Sequence, residues 1–309
     1  MDPICHSLTG AALGYTGLQM RSRFGRATLI IGANLPDIDA VTYLLDGADS
    51  LGIRRGLTHG IPALVVMPLL LAAAMRGVSA VSPGPAAQRA DFRQLWLLSA
   101  IAMATHPFLD YLNNYGMRWL MPFVDRWVYG DTLYIIDPYV WSILLAGVLL
   151  AAITRRGTMP RRRRPAAISL AVTCVYIVLS AGGTLLARQA TLDALQHDVP
   201  ERLMASPVLL RPLERRLVVE YDSEYRVGRV SLSPLSVEIE SERILKGDPR
   251  DLARAAASPE GQVFLHWARF PFSESASIDG KRVIRVMDAR YVREWEEGFG
   301  ALEIVTASE

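Results

Sequence analysis

Two long apolar runs, residues 133–153 and 165–187, set the strongest limit on what this 309-residue chain can become. Each holds about 20 residues, and a helix of that length crosses a hydrocarbon core of roughly 30 Å. Two further runs, residues 61–75 and 95–112, are slightly short or interrupted, and two shorter pieces, residues 8–19 and 27–35, precede them. Neither short piece crosses a bilayer alone. They predict an oblique or re-entrant hairpin, a geometry tolerated at that depth only where protein or a wet cavity surrounds it. A composition that is 51% apolar, with positive mean hydropathy, also points away from an ordinary soluble domain. The start, Met1-Asp2-Pro3, lacks a basic stretch, and His6 interrupts the apolar segment that follows, so it does not read as a cleavable signal.

The arginines orient these spans. Arg155, Arg156 and the run at 161–164 separate the two clearest apolar runs, and such a loop is retained on the cytoplasmic side. With that loop inside, the chain after Ala187 emerges outside, residues 95–112 run outward and residues 61–75 run inward. Arg76, Arg89 and Arg93 then fall inside, and Arg21, Arg23 and Arg26 mark a cytoplasmic hairpin tip. Arg54, Arg55, Arg118 and Arg126 fall outside. The 161–164 run is read as a topology signal with headgroup contact rather than a nucleic-acid site. Tyr111, Trp119, Trp127 and Tyr134 read as an interfacial belt.

Beyond residue 187 the pattern changes. Residues 189–204 read as a helix leaving the membrane. Short Val- and Leu-rich stretches at 217–221, 225–232, 237–240, 262–270, 282–287 and 302–305 read as strands. Asp248-Pro249 predicts a capped helix over 248–257. The Pro/Gly/Ala stretch at 83–87 reads as a loop. The expected fold is a mainly α membrane helix bundle over residues 1–187 and a small β-rich α+β domain over 188–309, placed outside the membrane.

Polar residues that can carry chemistry collect in the N-terminal half: His6, His59, His106, Asp37, Asp39 and Asp110. His106 and Asp110 are spaced i, i+4, so on a helix they share a face and reach one ion. Asp37 and Asp39 follow Pro36, which pushes Leu35 away from helical geometry. In an extended loop their carboxylates diverge, and in a turn they converge. The topology brings all six residues to the outer face. Ionised aspartates beside apolar spans need a counter-charge, and Arg54 and Arg55 are the only obvious cationic partners. A divalent metal supplies one, and imidazole with carboxylate suits zinc, manganese or iron. Cys5 and Cys174 read as buried thiols, and His197 and His266 as structural residues of the outer domain.

The stretches His6-Ser-Leu-Thr-Gly-Ala, Asn34-Leu-Pro-Asp-Ile-Asp39, Arg55-Gly-Leu-Thr-His59-Gly and Thr105-His-Pro-Phe-Leu-Asp110 resemble the YdjM-like family of bacterial inner-membrane proteins, described as membrane-bound metal-dependent hydrolases. In the C-terminal half, Leu265-His-Trp-Ala-Arg-Phe-Pro271 and Asp288-Ala-Arg-Tyr291 are similar to that family as well. The resemblance implies metal ligands at His6, Asp37, Asp39, His59, His106 and Asp110, and a location in the bacterial inner membrane. More distantly, the His106/Asp110 pair resembles zinc-dependent phospholipase C.

The resulting expectation is a metal-dependent hydrolase holding one or two ions. Asp37 or Asp39 would accept a proton from water, and Arg55, with Arg54 beside it, would bind a phosphate oxygen. Membrane lipids and a lipid or other phosphoester substrate are the expected partners, with no nucleic acid. The alternative is a metal-stabilised structural or partner-binding membrane protein, which would have a closed ligand shell.

Overall fold

The computed structural model describes residues 1–18, 22–45, 47–83, 90–154, 159–196, 198–278, 281–292 and 300–307. Arg21, Arg89, Arg155, Arg156, His197 and residues 84–87 of the expected loop lie outside them, as do the side chains of Arg161 and Arg162. The chain folds into two units, one comprising Met1–Val41 with Arg54–Gly182, the other Thr42–Ile53 with Gly183–Glu309.

The first unit is helical. Helix α1 (Pro3–Tyr15) starts at Asp2, whose carboxylate accepts the N–H groups of Ile4 and Cys5 at 2.9 and 3.2 Å, with Pro3 at the first helical position. The other Asp2 oxygen accepts the Trp141 indole N–H at 2.9 Å. Helix α2 (Gly25–Asn34) returns against α1, and a side chain at Gly10 would collide with the Leu29 carbonyl, so the two helices meet backbone to backbone. The predicted hairpin is therefore a real pair of short helices. Cys5 is buried in a core cluster with Leu109, Leu133, Val140 and Leu144.

After α2 the chain tightens into a 3-10 stretch, Leu35–Leu44, and a one-turn 3-10 segment, Leu57–His59, precedes α4. Helix α4 (Ile61–Val81) and the long α7 (Met159–Leu195) are long and apolar enough to cross a membrane. Only 28% and 22% of their most apolar windows are buried, so their apolar side chains mostly face outward, unlike those of a soluble protein's core helix. Helix α5 (Phe92–Tyr111) coincides with the run at 95–112. Helix α6 (Pro138–Ile153) is shorter than the run at 133–153, because Asp137 caps it through the N–H groups of Tyr139 and Val140. Trp127 and Tyr134, expected in an interfacial belt, are buried instead.

In the second unit, α3 (Gly47–Ile53) packs with α9 (Pro259–Trp267). Strands β1 (Arg202–Val208), β2 (Arg211–Glu220), β3 (Glu224–Leu232) and β4 (Leu235–Leu245) form an antiparallel meander. Strands β5 (Pro271–Ile278), β6 (Lys281–Asp288) and β7 (Ala301–Ala307) form a second antiparallel sheet, and α8 (Pro249–Ala256) starts at Asp248 as expected. The first sheet is covered on both faces. Met204, Val218 and Val227 join Phe270 and Phe272 on one side, while Leu203, Leu217 and Val219 join Ala187 on the other. Two-sided burial accounts for the unbroken apolar run Leu217-Val218-Val219 in β2, where alternation gives way.

Two sequence expectations fail here. The helix expected over 189–204 stops at Leu195, and Met204 lies in β1, since Pro200 cannot continue a helix and the Leu203–Ala205 segment fills the sheet core. Residues 262–270, expected as a strand, form most of α9, which begins with Ser258 accepting the Gly261 N–H at 3.0 Å and Pro259 in its first turn.

Candidate metal centre

The site is built on the last turns of α5. His106 and Asp110 lie one turn apart, both fully buried, with His106 Nε2 3.6 Å from Asp110 Oδ2. His106 Nδ1 donates to the Ala33 carbonyl at 2.7 Å, near the end of α2 where helical carbonyls lack an internal partner. A carbonyl only accepts, so the proton sits on Nδ1, and the Nε2 lone pair faces Asp110.

His59 arrives from the 3-10 turn before α4. Its Nδ1 lies 2.9 Å from Thr58 Oγ1 and 3.4 Å from Asp39 Oδ2. Its Nε2 lies 3.1 Å from His106 Nε2, 3.3 Å from Asp110 Oδ2 and 4.0 Å from Asp37 Oδ1. Asp37 Oδ1 is also 3.7 Å from His106 Nε2. Ligand atoms of Asp37, His59, His106 and Asp110 all lie within 4.8 Å of one another. Imidazole nitrogens held by their Nδ1 contacts and carboxylate oxygens thus converge on one point, a donor set that fits a divalent transition metal.

The 3-10 geometry of Leu35–Leu44 turns both aspartates toward the site in different roles. Asp39 Oδ2 accepts the Arg55 N–H at 2.9 Å and the Thr58 hydroxyl at 2.8 Å, so Asp39 braces His59 from behind rather than joining the group of four. Burial works against its charge, and the His59, Thr58 and Arg55 contacts outweigh it, holding its carboxyl below the usual range. Asp37 is the more exposed, at 11% of its side chain. Burial and the nearby Asp110 carboxylate push its pKa up, the signature of negative charge crowded into one place.

His6 reaches the other side of Asp110. Its ring stacks on His106 with centroids 3.7 Å apart, and its Nε2 is 3.3 Å from Asp110 Oδ1. Both His6 nitrogens are buried with no hydrogen-bond partner among the described residues. The Met1 amino group also pairs with Asp110 Oδ1. His6 therefore approaches one oxygen of Asp110 while His59 and His106 approach the other.

The two arginines separate sharply. Arg55 adopts a left-handed backbone, φ 50°, and its buried guanidinium donates to Asn113 Oδ1 at 3.3 Å, the Gly116 carbonyl at 3.1 Å and the Met1 carbonyl at 3.3 Å. Its Nε lies 3.3 Å from Asp110 Oδ2. Arg54 instead lies 3.8 Å from Asp37 Oδ1 and 3.8 Å from Asp39 Oδ1. Asn113 went unnoticed in the sequence reading, although it also accepts the N–H groups of Tyr115 and Gly116 at 2.9 and 3.3 Å. Its signal was the Asn113-Asn114-Tyr115-Gly116 turn directly after Asp110. His266 is exposed on α9, within the second unit.

The YdjM inner membrane protein family has a sequence pattern that matches residues 1–185, the segment holding every residue of this cluster. The chain belongs to that family. It is also similar to the uncharacterized protein YfhP of Bacillus subtilis (strain 168), at 26% identity over 270 residues, covering 85% of this chain and 76% of the relative. No solved structure matches it. Membership makes this an inner-membrane protein.

Proposed function

We propose that this protein is a membrane-bound, metal-dependent hydrolase acting on a phosphoester carried by a lipid. The observation that carries the reading is the convergence of Asp37, His59, His106 and Asp110, with both histidines anchored through Nδ1. These four residues would hold a divalent ion, zinc by the donor set; His6 faces the second oxygen of Asp110, and a second ion there would have to displace the Met1 amino group from that oxygen. When bound, such an ion lowers the pKa of a coordinated water and polarises a phosphoryl oxygen. Asp39 keeps His59 oriented. Asp37, the more exposed carboxylate, would hold the ion through Oδ1, the oxygen facing the histidines, and take a proton from an attacking water through its other oxygen.

Position supports a lipid-borne substrate. His59 lies two residues before α4 and Asp110 in the last turn of α5, so the cluster lies where apolar helices end. Large apolar side chains near it in sequence are exposed: Ile38, between the two aspartates, at 60%, and Leu57 at 60%. The arginine distribution supports a multi-pass arrangement with this end of the helices on the outer side of the inner membrane. Membrane lipids are then the surrounding medium and the source of substrate.

The depth of the cluster favours a second reading. His6, His59, His106 and Asp110 are fully buried, as in a structural metal site with a closed shell. Full-length protein in detergent, loaded with zinc or manganese and offered phospholipids, lipid-linked phosphates and soluble phosphoesters, separates the two. Metal-dependent product release that disappears in His59→Ala is the expected result. A metal-loaded protein that cleaves nothing across the panel would leave the structural reading standing.

A further inference from the structure

We infer that two hairpin tips at one end of the first sheet, Leu209-Leu210 between β1 and β2 and the Leu232–Leu235 turn between β3 and β4, form a lipid-contacting anchor seated in the boundary of the bilayer that α7 spans. The inference is independent of the metal-hydrolase reading.

The two ends of this sheet differ in chemistry. The turn between β2 and β3 is Tyr221-Asp222-Ser223, polar as a water-facing turn is expected to be. The opposite end carries leucine. Val208 pairs with Arg211, so Leu209 and Leu210 make up the whole turn between β1 and β2. Leu210 takes a left-handed backbone there, φ 59°, where glycine or asparagine is the usual occupant. Its side chain is 63% exposed, and Leu213 and Leu235 at the same end are 56% and 52% exposed. A bulky apolar residue kept in a backbone state suited to glycine, yet left outside the core, calls for a second apolar medium.

The direction of α7 identifies that medium. Thr184 Oγ1 accepts Arg215 Nε at 3.1 Å, and the Arg215 and Leu232 side chains close over Gly183, where a side chain would collide with both. Farther along, Ala187 packs with Leu217 and Val219, and beyond the helix the Glu201 N–H donates to the Glu220 carbonyl at 2.9 Å. Helix and β2 therefore run in the same sense, away from the apolar span. The opposite direction leads to the leucines. Pro207 pairs with Arg215, and Leu210 follows three residues later, about 10 Å at the rise of a strand. Leu235 pairs with Leu232, two residues past Val230, which pairs with Arg215 from the other side. Both tips thus project from the level of Thr184 back toward the bilayer. The apolar run of α7 lasts until Ala187 and ends in Arg188-Gln189, so that level already belongs to the membrane boundary. Arg211 and Arg229, both exposed and both facing Glu214, stand just behind the tips, where anionic headgroups lie.

The test uses full-length Cys174→Ser protein, one chain per nanodisc of phosphatidylglycerol and phosphatidylethanolamine, so that no second copy can cover the tips. Cys5 is buried and escapes labelling. An environment-sensitive fluorophore is attached at Leu210→Cys, Leu235→Cys or, as the water-facing control, Asp222→Cys. Quenching is read with iodide in the buffer and with a spin-labelled phospholipid in the disc. Labels at 210 and 235 should emit to the blue of the label at 222, resist iodide and lose several-fold more intensity to the spin-labelled lipid. Iodide quenching at 210 and 235 equal to that at 222 overturns the inference. Protection from both quenchers shows that protein, not lipid, covers the tips, and overturns it as well.

Discussion

The protein buries charge twice, with opposite outcomes. In the second unit, Asp288 Oδ1 accepts the Arg290 N–H at 2.9 Å, and its Oδ2 accepts the Arg269 N–H at 2.6 Å and Arg290 Nε at 2.9 Å. Arg290 Nη2 also reaches the Trp267 carbonyl at 3.1 Å, and its guanidinium carbon lies 4.6 Å from the Trp267 ring centre and 5.0 Å from that of Tyr291. Each donor there meets an acceptor. In the first unit, acceptors face acceptors: the Nε2 atoms of His59 and His106 are 3.1 Å apart, and Asp110 Oδ2 is buried without a hydrogen bond among the described residues. Both clusters lie in sequence motifs of similar prominence. What distinguishes them is lone-pair matching rather than formal charge, since a satisfied pair needs nothing more and a convergent set of acceptors needs a cation.

The contrast fails if the first cluster does not depend on metal or the second one does. Asp110→Asn has the largest expected effect: elemental analysis of folded, purified protein should show metal near background, because this residue contacts every histidine of the group. Arg290→Met should leave metal content intact and destabilise the protein by roughly 3–5 kcal/mol, since a buried Asp288 loses its partner; loss of metal in that variant would erase the distinction. Asp39→Ala should weaken metal affinity about ten- to hundredfold without abolishing binding, as expected for a residue that braces a ligand. The smallest effect is on pH dependence in the second unit. Burial works against the charge of Glu220, and Arg202 and Lys246 outweigh it, holding its carboxyl below the ordinary 4.5. A lowered native pKa means the contribution is complete above the unfolded value and fades as pH falls through the native one. Thermal melts between about pH 6 and pH 3 should therefore lose less stability in Glu220→Gln than in the wild type.

Much of this was legible from sequence where periodicity alone decides. The i, i+4 spacing of His106 and Asp110 placed them on one helical face, and α4, α5 and the membrane part of α7 follow their apolar runs. Roles that depend on backbone direction were not legible. Asp37 and Asp39 converge because the chain after Pro36 forms a 3-10 stretch rather than an extended loop, and nothing in the residue types decides between those states. Arg54 and Arg55 look equivalent in sequence, yet a single positive φ at Arg55 sends one guanidinium into the protein and leaves the other at its edge. In the second unit, β1 and β5 escaped notice because strands covered on both faces, or ending in polar residues, lack clean alternation.

The grouping of Thr42–Ile53 with Gly183–Glu309 has a practical corollary. The polypeptide leaves the first unit after the Asp37/Asp39 segment and re-enters it at Arg54, so no single scission separates the two bodies. A truncation after residue 182 would strip α3 of the α9 surface it packs on, leaving a short orphaned helix tethered between the residues that frame the metal ligands. Dissecting this protein therefore requires excising the 42–53 excursion and bridging its ends, rather than stopping translation early.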